Sequence, residues 1–515
     1  MNKIRQLALE GISKSFGEVA ANRAIDLTVR SGEIVGLLGE NGAGKTTLMN
    51  ILYGLYQPDS GTISINGEPV SIRSPKDSIG LGIGMVHQHF MLVQNHTVAE
   101  NVSMAYAGRR AFFPAQQAAR LLEAFRVKYR LEIKPDRLIW QLSAGEQQRV
   151  EIAKLLVNRA DLLIMDEPTS VLSPKEAEKL METLRRLRNE GHLVIFISHK
   201  LEEVLAICDR VVVLRKGAIA GTARTGEVDR SELANMMVGR EVLFHFDRPP
   251  FEAGDDILAV KSLSVNGDRG LYAVKDVSFT VREHEIFGIA GVSGNGQREL
   301  VEAVTGLRRG KSGSIEIDGE LVSNRSARIA NDVGVTHVPE ERIRFGVAGN
   351  LLLYDNAVLK HHHRKPFSNA VFMDYPTVKN HARDIVIRFR VDTPSIHART
   401  RDLSGGNIQK LILGREISGK HRLLVASHPT YGLDVGATEF IRAHLLDRRR
   451  EGCAVLLVSE DLEEILELSD RIAVMFEGCI MEISDAGTVD IARIGMLMAG
   501  SAASASSDES EGSNH

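Results

Sequence analysis

The strongest constraint on this chain of 515 residues is that it repeats itself. Gly39-Glu40-Asn41-Gly42-Ala43-Gly44-Lys45-Thr46 is echoed 252 residues later by Gly291-Val292-Ser293-Gly294-Asn295-Gly296-Gln297-Arg298. Leu142-Ser143-Ala144-Gly145 returns 261 residues on as Leu403-Ser404-Gly405-Gly406. Pro168-Thr169 returns as Pro429-Thr430, and Met237-Val238-Gly239 as Met498-Ala499-Gly500, at the same spacing of 261. Two homologous domains therefore lie in tandem. The second carries about nine extra residues ahead of its Leu-Ser-Gly-Gly, expected at the basic stretch His361-His362-His363-Arg364-Lys365. The expected boundaries are 1–240 for the first domain, 241–256 for a Pro/Gly linker and 257–500 for the second domain. Residues 501–515 are acidic and Ser-rich, with too little apolar surface to offset the entropy of ordering.

Within each repeat the pattern is α/β. Ile34–Leu38 reads as a buried strand leading into the glycine loop, with a helix from Lys45. Leu162–Met165 is another apolar strand. Ser173-Pro174-Lys175-Glu176 combines a capping box with proline at the first helical position, so a helix starts there. Gly191 ends it, and Leu193–Ile197 returns as a strand. Strands alternating with helices predict a largely parallel sheet.

Charge is nearly balanced, 63 Lys+Arg against 67 Asp+Glu, which leaves no basic footprint and predicts no nucleic-acid partner. No apolar run is long enough to span a bilayer. The first residues lead into no signal-peptide core, and the three scattered cysteines form no disulfide framework. The expectation is work in a reducing cytoplasm.

The octet Gly-x-x-x-x-Gly-Lys-Thr curls backbone N–H groups around phosphate oxygens at a helix N-terminus. The expected cradle for ATP is Gly39, Glu40, Asn41, Gly42, Ala43, Gly44, Lys45, Thr46 and Thr47. Lys45 is placed to reach the β- and γ-phosphates, and the Thr46 hydroxyl to bind Mg²⁺. The strand Leu162–Met165 runs into Asp166-Glu167. Asp166 can hold Mg²⁺, and Glu167 can polarise an attacking water.

Further elements resemble the ATP-binding-cassette (ABC) proteins over nearly the whole chain. Leu142-Ser143-Ala144-Gly145-Glu146 and Leu403-Ser404-Gly405-Gly406-Asn407 look like that family's signature. His199 resembles the switch histidine, and Gln88 the Q-loop glutamine that also approaches the metal. Phe16 sits where the family stacks an aromatic ring on adenine. Taken singly, Phe16 and His199 also read as core residues. The resemblance implies two tandem ABC ATPase (P-loop NTPase) domains pairing head to tail. The active site would then join the first domain's loop, Gln88, Asp166, Glu167 and His199 to Ser404, Gly405, Gly406 and Asn407 of the second.

The second copy has lost its chemistry. Gln297 replaces the lysine, Arg298 the threonine, Ser427-His428 the Asp-Glu pair, Glu460 the histidine and Glu340 the glutamine. Val265 is the nearest counterpart of Phe16. Losing a general base alone costs roughly 10²–10⁴ in rate. A carboxylate about 5 Å from phosphate adds roughly 3 kcal/mol of repulsion at an effective dielectric near 20.

The short linker, dead second site and neutral charge separate this chain from soluble tandem ABC ATPases and point to an import motor. Gly84-Met85-Val86-His87-Gln88-His89-Phe90-Met91-Leu92, followed by Thr97-Val98-Ala99-Glu100-Asn101, looks most like the nucleoside branch, as does Asp166-Glu167-Pro168-Thr169-Ser170-Val171-Leu172-Ser173-Pro174. Monosaccharide import is the alternative. The resemblance implies two membrane-spanning permease subunits and an extracytoplasmic solute-binding protein. It places the chain peripherally, on the cytoplasmic face of the membrane. Phe90-Met91-Leu92-Val93 is a candidate permease-docking surface, equally open to reading as core packing.

Overall fold

The apolar runs form buried strands and the capping signals start helices where the residues dictate. The structure is a computed structural model that describes residues 3–17, 19–88, 90–105, 115–242, 252, 254–369, 371–419 and 421–498. The chain divides into two compact units, Met1–Val242 and Leu243–His515. That division falls inside the stretch read as linker, of which residues 243–251 and 253 lie outside the described residues. So does the tail 501–515.

The first unit contains β1 (Gln6–Phe16), β2 (Val19–Arg30), β3 (Ile34–Leu38), β4 (Ser60–Ile65), β5 (Glu68–Val70), β6 (Ile83–Val86), β7 (Leu162–Asp166), β8 (Leu193–Ile197), β9 (Arg210–Arg215) and β10 (Ala218–Arg224). The core sheet runs β10-β9-β3-β8-β7-β6 and is parallel except for the β9–β10 edge pair. Every residue of β3 is buried: Val35 and Leu37 pack into one cluster with apolar residues of β1, β2 and the helix Lys45–Leu52, while Gly36 lies against Val204 and Cys208. The helix Pro174–Asn189 starts on the expected capping box with Pro at its first turn.

A second sheet, β2-β1-β4-β5, is wholly antiparallel and was not anticipated. Three register shifts interrupt the β1–β2 pairing, so no clean alternation of apolar and polar residues marks it.

The second unit repeats this plan with β11 (Asp256–Asn266), β12 (Tyr272–Arg282), β13 (Ile286–Ala290), β14 (Gly310–Ile317), β15 (Glu320–Leu321), β16 (Val335–Val338), β17 (Leu423–Ser427), β18 (Ala454–Ser459), β19 (Arg471–Phe476) and β20 (Cys479–Asp485). The orders are β12-β11-β14-β15 and β16-β17-β18-β13-β19-β20.

Two sequence expectations need correction here. The extra residues of the second repeat are not one insertion. Asn101 accepts from the Val93 amide and Asn356 from the Ala348 amide, each at 2.8 Å, which equates positions 255 apart. Three of the added residues therefore fall near the π-helical turn Arg342–Gly346, five lie between the helices Leu353–Ala357 and Tyr375–Arg388, and one follows Arg390, which matches Arg130 at a spacing of 260 (φ +49 and +54). Val265 is also not the equivalent of Phe16. It is fully buried and pairs with Val274 as Lys14 pairs with Asn22. The aromatic at that hairpin is Tyr272, half exposed on the facing strand.

Candidate functional site

In the first unit, β3 ends at Leu38 and the chain turns from Gly39 through the loop into the helix Lys45–Leu52. The turn requires glycine at its last position. Gly44 sits at φ +103, and a Cβ there would lie 2.2 Å from the Ala21 carbonyl oxygen. The buried Asn22 amide donates to the Gly44 carbonyl at 3.1 Å, locking the loop to β2. Lys45 is buried, with Nζ donating to the Gly39 and Glu40 carbonyls at 2.6 and 3.0 Å. Asn41, Gly42 and Thr46 are exposed, Thr47 is half-buried, and Ala43 is buried beneath the loop. The loop thus presents amides and a hydroxyl at a helix N-terminus, with a cation underneath, which is a phosphate cradle.

β7 carries Asp166 to the same edge, and Glu167 follows at φ +46 with its N–H on the Ile197 carbonyl at 2.9 Å. Gln88 donates Nε2 to one Glu167 oxygen at 3.0 Å, and His199 Nδ1 meets the other at 3.2 Å. The two adjacent carboxylates are driven apart in acidity. Burial and the Glu167 charge push Asp166 up to about 6, against the pull of Lys45. The hydrogen bond from His199 holds Glu167 below its ordinary value. Glu167 is therefore anionic at neutral pH and able to take a proton, with both oxygens aimed by neighbours.

Asp166, the Gln88 amide oxygen and the Thr46 hydroxyl are all oxygen donors, the kind a hard cation takes, and could hold one. The described residues include no group of three or more His, Cys, Asp or Glu for a metal. A cation completed by substrate phosphates and water does not need one. Phe16 is 45% exposed, packs edge-on against Tyr56 at 5.2 Å, and carries the Lys14 ammonium 5.7 Å from its ring centroid. An exposed ring at the β1–β2 hairpin is available for stacking. Met91 and Val93 are exposed, while Leu92 packs into the helical cluster with Val98 and Val150.

The signature elements of the two units differ in a way the sequence did not announce. Ser143 caps the helix Ala144–Val157, and its hydroxyl donates to Glu176 Oε1 at 2.8 Å, as does the Gly145 amide at 3.1 Å. Burial pushes Glu176 up, but the hydrogen bonds from Ser143, Ser173 and Gly145 hold it lower overall, so an anion sits on this signature. In the second unit Ser404 caps the helix Gly405–Ile417 and accepts from the Asn407 side chain at 3.0 Å. Ala437 stands 261 residues after Glu176, 3.7 Å from where a Gly406 Cβ would lie, and brings no charge. Ser404 and Gly405 are exposed.

The second unit's loop keeps its shape. Gly296 has φ +100 at the cap of the helix Gln297–Val304. The Gln297 amide donates to the Val292 carbonyl at 3.2 Å, and Arg298 pairs with Glu302 at 2.9 Å. Glu340 and Glu460 are exposed. Among the described residues none supplies a cation under this loop or a carboxylate at the end of β17, where Ser427 and His428 stand.

Sequence reading also missed a supporting trio. Glu203 accepts from Thr169 at 2.6 Å and Ser198 at 3.3 Å, bracing the turns that carry Glu167 and His199. Glu464 does the same for Thr430 and Ser459, both at 2.7 Å. The signal was present, since all three residues recur at the spacing of 261.

A phosphate loop at the carboxyl edge of a parallel sheet, followed by an adjacent Asp-Glu pair, defines a P-loop nucleoside-triphosphatase. The model of the ABC transporter family matches residues 23–170 and 274–431, and the chain belongs to that family. It is an ATP-binding ABC ATPase with two cassettes. It is 48% identical to the glucose import ATP-binding protein TsgD13 of Haloferax volcanii, over 96% of each chain. It is 45% identical to the guanosine import ATP-binding protein NupO of Bacillus subtilis, over 95% of this chain and 96% of that one. A solved structure of RNase-L inhibitor covers 91% of this chain and 87% of its own, with TM-score 0.59 at 21% identity, and shares the fold alone. No helix among the described residues is long and apolar enough to cross a membrane.

Proposed function

We propose that this chain is the ATP-hydrolysing motor subunit of a nucleoside importer, with one active composite site. That site joins the first unit's loop, Gln88, Asp166, Glu167 and His199 to Ser404, Gly405, Gly406 and Asn407, the two units pairing head to tail. The observation that carries the reading is the unequal pair of signatures. An ATP bound at the intact loop meets the uncharged Ser404 signature, whereas the loop lacking its lysine would meet Ser143 and the Glu176 carboxylate.

Chemically, Lys45 and the loop amides hold the β- and γ-phosphates. Glu167 accepts a proton as water oxygen bonds to the γ-phosphorus, and the bond to the bridging oxygen breaks to give ADP and phosphate. Thr46, Gln88 and Asp166 would hold Mg²⁺, which supplies charge neutralisation of the phosphates. His199 and Gln88 orient Glu167 from opposite sides. Ser404 donates to the γ-phosphate, so the contact exists with ATP and weakens after hydrolysis. Only such a difference can drive a conformational cycle.

The partners in this reading are two membrane-spanning permease subunits, engaged near Met91 and Val93, and an extracytoplasmic solute-binding protein. The chain then works peripherally on the cytoplasmic face of the membrane. The Gly84–Leu92 segment and the absence of carboxylates at Ser427-His428 support nucleoside cargo, as does similarity to a guanosine import protein. Monosaccharide cargo is the second reading, favoured by 48% identity to a glucose import protein. The test is uptake of labelled nucleosides, ribose and glucose by cells lacking the gene, with the wild-type chain or Glu167→Gln restored. Nucleoside uptake that is lost and rescued only by wild type is expected. Loss of sugar uptake instead moves the cargo, and loss of neither removes the transport reading.

A further inference from the structure

The two signatures are braced by opposite chemistry. In the first unit, Glu176 ties the signature to the turn between β7 and the helix Pro174–Asn189. One of its oxygens accepts from the Ser143 hydroxyl and the Gly145 amide, the other from the Ser173 amide and hydroxyl at 3.1 and 2.9 Å. That brace consumes two of the signature's own donors.

In the second unit, where Ala437 replaces Glu176, Arg342 makes the tie. Its guanidinium donates to the Tyr431 carbonyl at 2.5 Å, in the turn between β17 and the helix Val435–Arg450. It also donates to the Gly405 carbonyl on the signature, at 3.4 Å. Carbonyl oxygens are used and signature donors are spared. The Ser404 oxygen accepts from Asn407, while its hydroxyl proton and the Gly406 amide have no acceptor among the described residues.

Arg342 belongs to the added residues. β6 and β16 match at a spacing of 252, and Val93 and Ala348 at 255. Residues 87–92 of the first unit contain no arginine or lysine, whereas residues 339–347 carry Arg342 at the start of the π-helical turn. The neighbours leave it room. Gly405 and Gly432 stand where the first unit has Ala144 and Val171, and a Cβ on either would touch the Arg342 nitrogens, at 3.7 and 3.4 Å. Gly432 has φ +63, which favours glycine. The added turn, the two glycines and the lost carboxylate are separate changes that bear on one contact.

Arg342 is half-buried and has no carboxylate partner among the described residues. The acidic residues flanking these segments are engaged or exposed: Glu341 pairs with Arg344, Asp402 with Arg401, Asp434 caps the Ala437 amide, and Glu340 faces solvent. Burial pulls the Arg342 pKa down, with Tyr431 opposing, and a guanidinium stays protonated. A half-buried cation held only by carbonyls is a costly way to join two loops for stability alone.

We propose that Arg342 is a positioning residue of the active site. It fixes the second unit's signature to the turn at Tyr431 through carbonyl oxygens, and so leaves the Ser404 hydroxyl and the Gly406 amide free for the γ-phosphate. The proposal rests on the reading that joins this signature to the first unit's loop.

The test is steady-state ATP turnover by the purified full chain, with ADP affinity measured by calorimetry and folding checked by melting curves. Arg342→Ala should lower kcat by roughly tenfold or more and leave affinity for ADP, which has no γ-phosphate, unchanged. Arg342→Lys reaches only one of the two carbonyls and should fall between that variant and wild type. It keeps the proposal testable if the alanine variant does not fold. Arg342→Ala combined with Ser404→Ala should turn over within about twofold of Ser404→Ala alone, because both act through one contact. Arg344→Ala, in the same turn, should match wild type.

Arg342→Ala within about twofold of wild type, with Ser404→Ala impaired, overturns the proposal and leaves the composite site standing. Ser404→Ala at the wild-type rate overturns the composite-site reading and the proposal with it. Losses that multiply in the double variant, weakened ADP binding, an equal loss in Arg344→Ala or full activity in Arg342→Lys each overturn the proposal.

Discussion

At the turn after β7, Glu167 has φ +46 and donates its N–H to Ile197 at 2.9 Å. At the turn after β17, His428 has φ +44 and donates to Val458 at 2.8 Å. The bracing carboxylates Glu203 and Glu464 hold the same Thr and Ser partners. The phosphate loops end in glycines at φ +103 and +100. The two units have thus kept one backbone while the side chains that do chemistry have parted. Even the strained turn persists where no base is left to aim. The backbone answers to the fold each unit shares, and the reactive side chains are free to differ on it.

The signatures diverge in the opposite sense. The unit with the intact loop has a carboxylate on its signature serine, and the unit with the broken loop has none. The loop and the signature have thus diverged independently within each unit.

The largest asymmetry should come from the loops. Lys45→Ala removes the cation beneath the phosphates and should lower ATP turnover by roughly 10²–10³, while Gln297→Ala leaves it unchanged in a steady-state phosphate-release assay. Equal losses would break the comparison.

The signatures should follow. Ser404→Ala removes a hydrogen bond to a charged phosphate, worth roughly 1.5–3 kcal/mol, or about 10–100-fold in rate. Ser143→Ala should leave turnover at the wild-type level. A larger effect at Ser143 would reverse the assignment of active site to loop and signature.

A smaller effect concerns stability rather than rate. Asp166 is raised to about 6, so its ionised form costs folding energy in the ligand-free chain. That cost is absent below the ordinary carboxylate range near 4 and fully present above about 6. The ligand-free chain should gain stability at this residue as pH falls from 6 to 4. At pH 7.5, Asp166→Asn should stabilise it by up to about 2–3 kcal/mol while abolishing turnover. Thermal melts across pH would reveal it. A lower melting temperature for Asp166→Asn would mean that the aspartate is structural.

Much of this was legible because it is local. β3, β7, β8 and the helices after Lys45 and Ser173 announce themselves through apolar runs, a capping box and proline. The phosphate loop and the Asp-Glu pair are contiguous motifs. What escaped was long-range. Glu176 was read correctly as a capping residue, bonding the Ser173 amide at 3.1 Å, but its other oxygen reaches Ser143, 33 positions away. The antiparallel sheets hide behind register shifts.

The most direct test of a single active site compares Glu167→Gln with His428→Gln in ATP turnover by the purified full chain. Loss of the base should lower the Glu167→Gln rate by roughly 10²–10⁴ and leave ATP trapped unhydrolysed, with His428→Gln turning over like the wild type. Comparable loss in both variants would contradict the account.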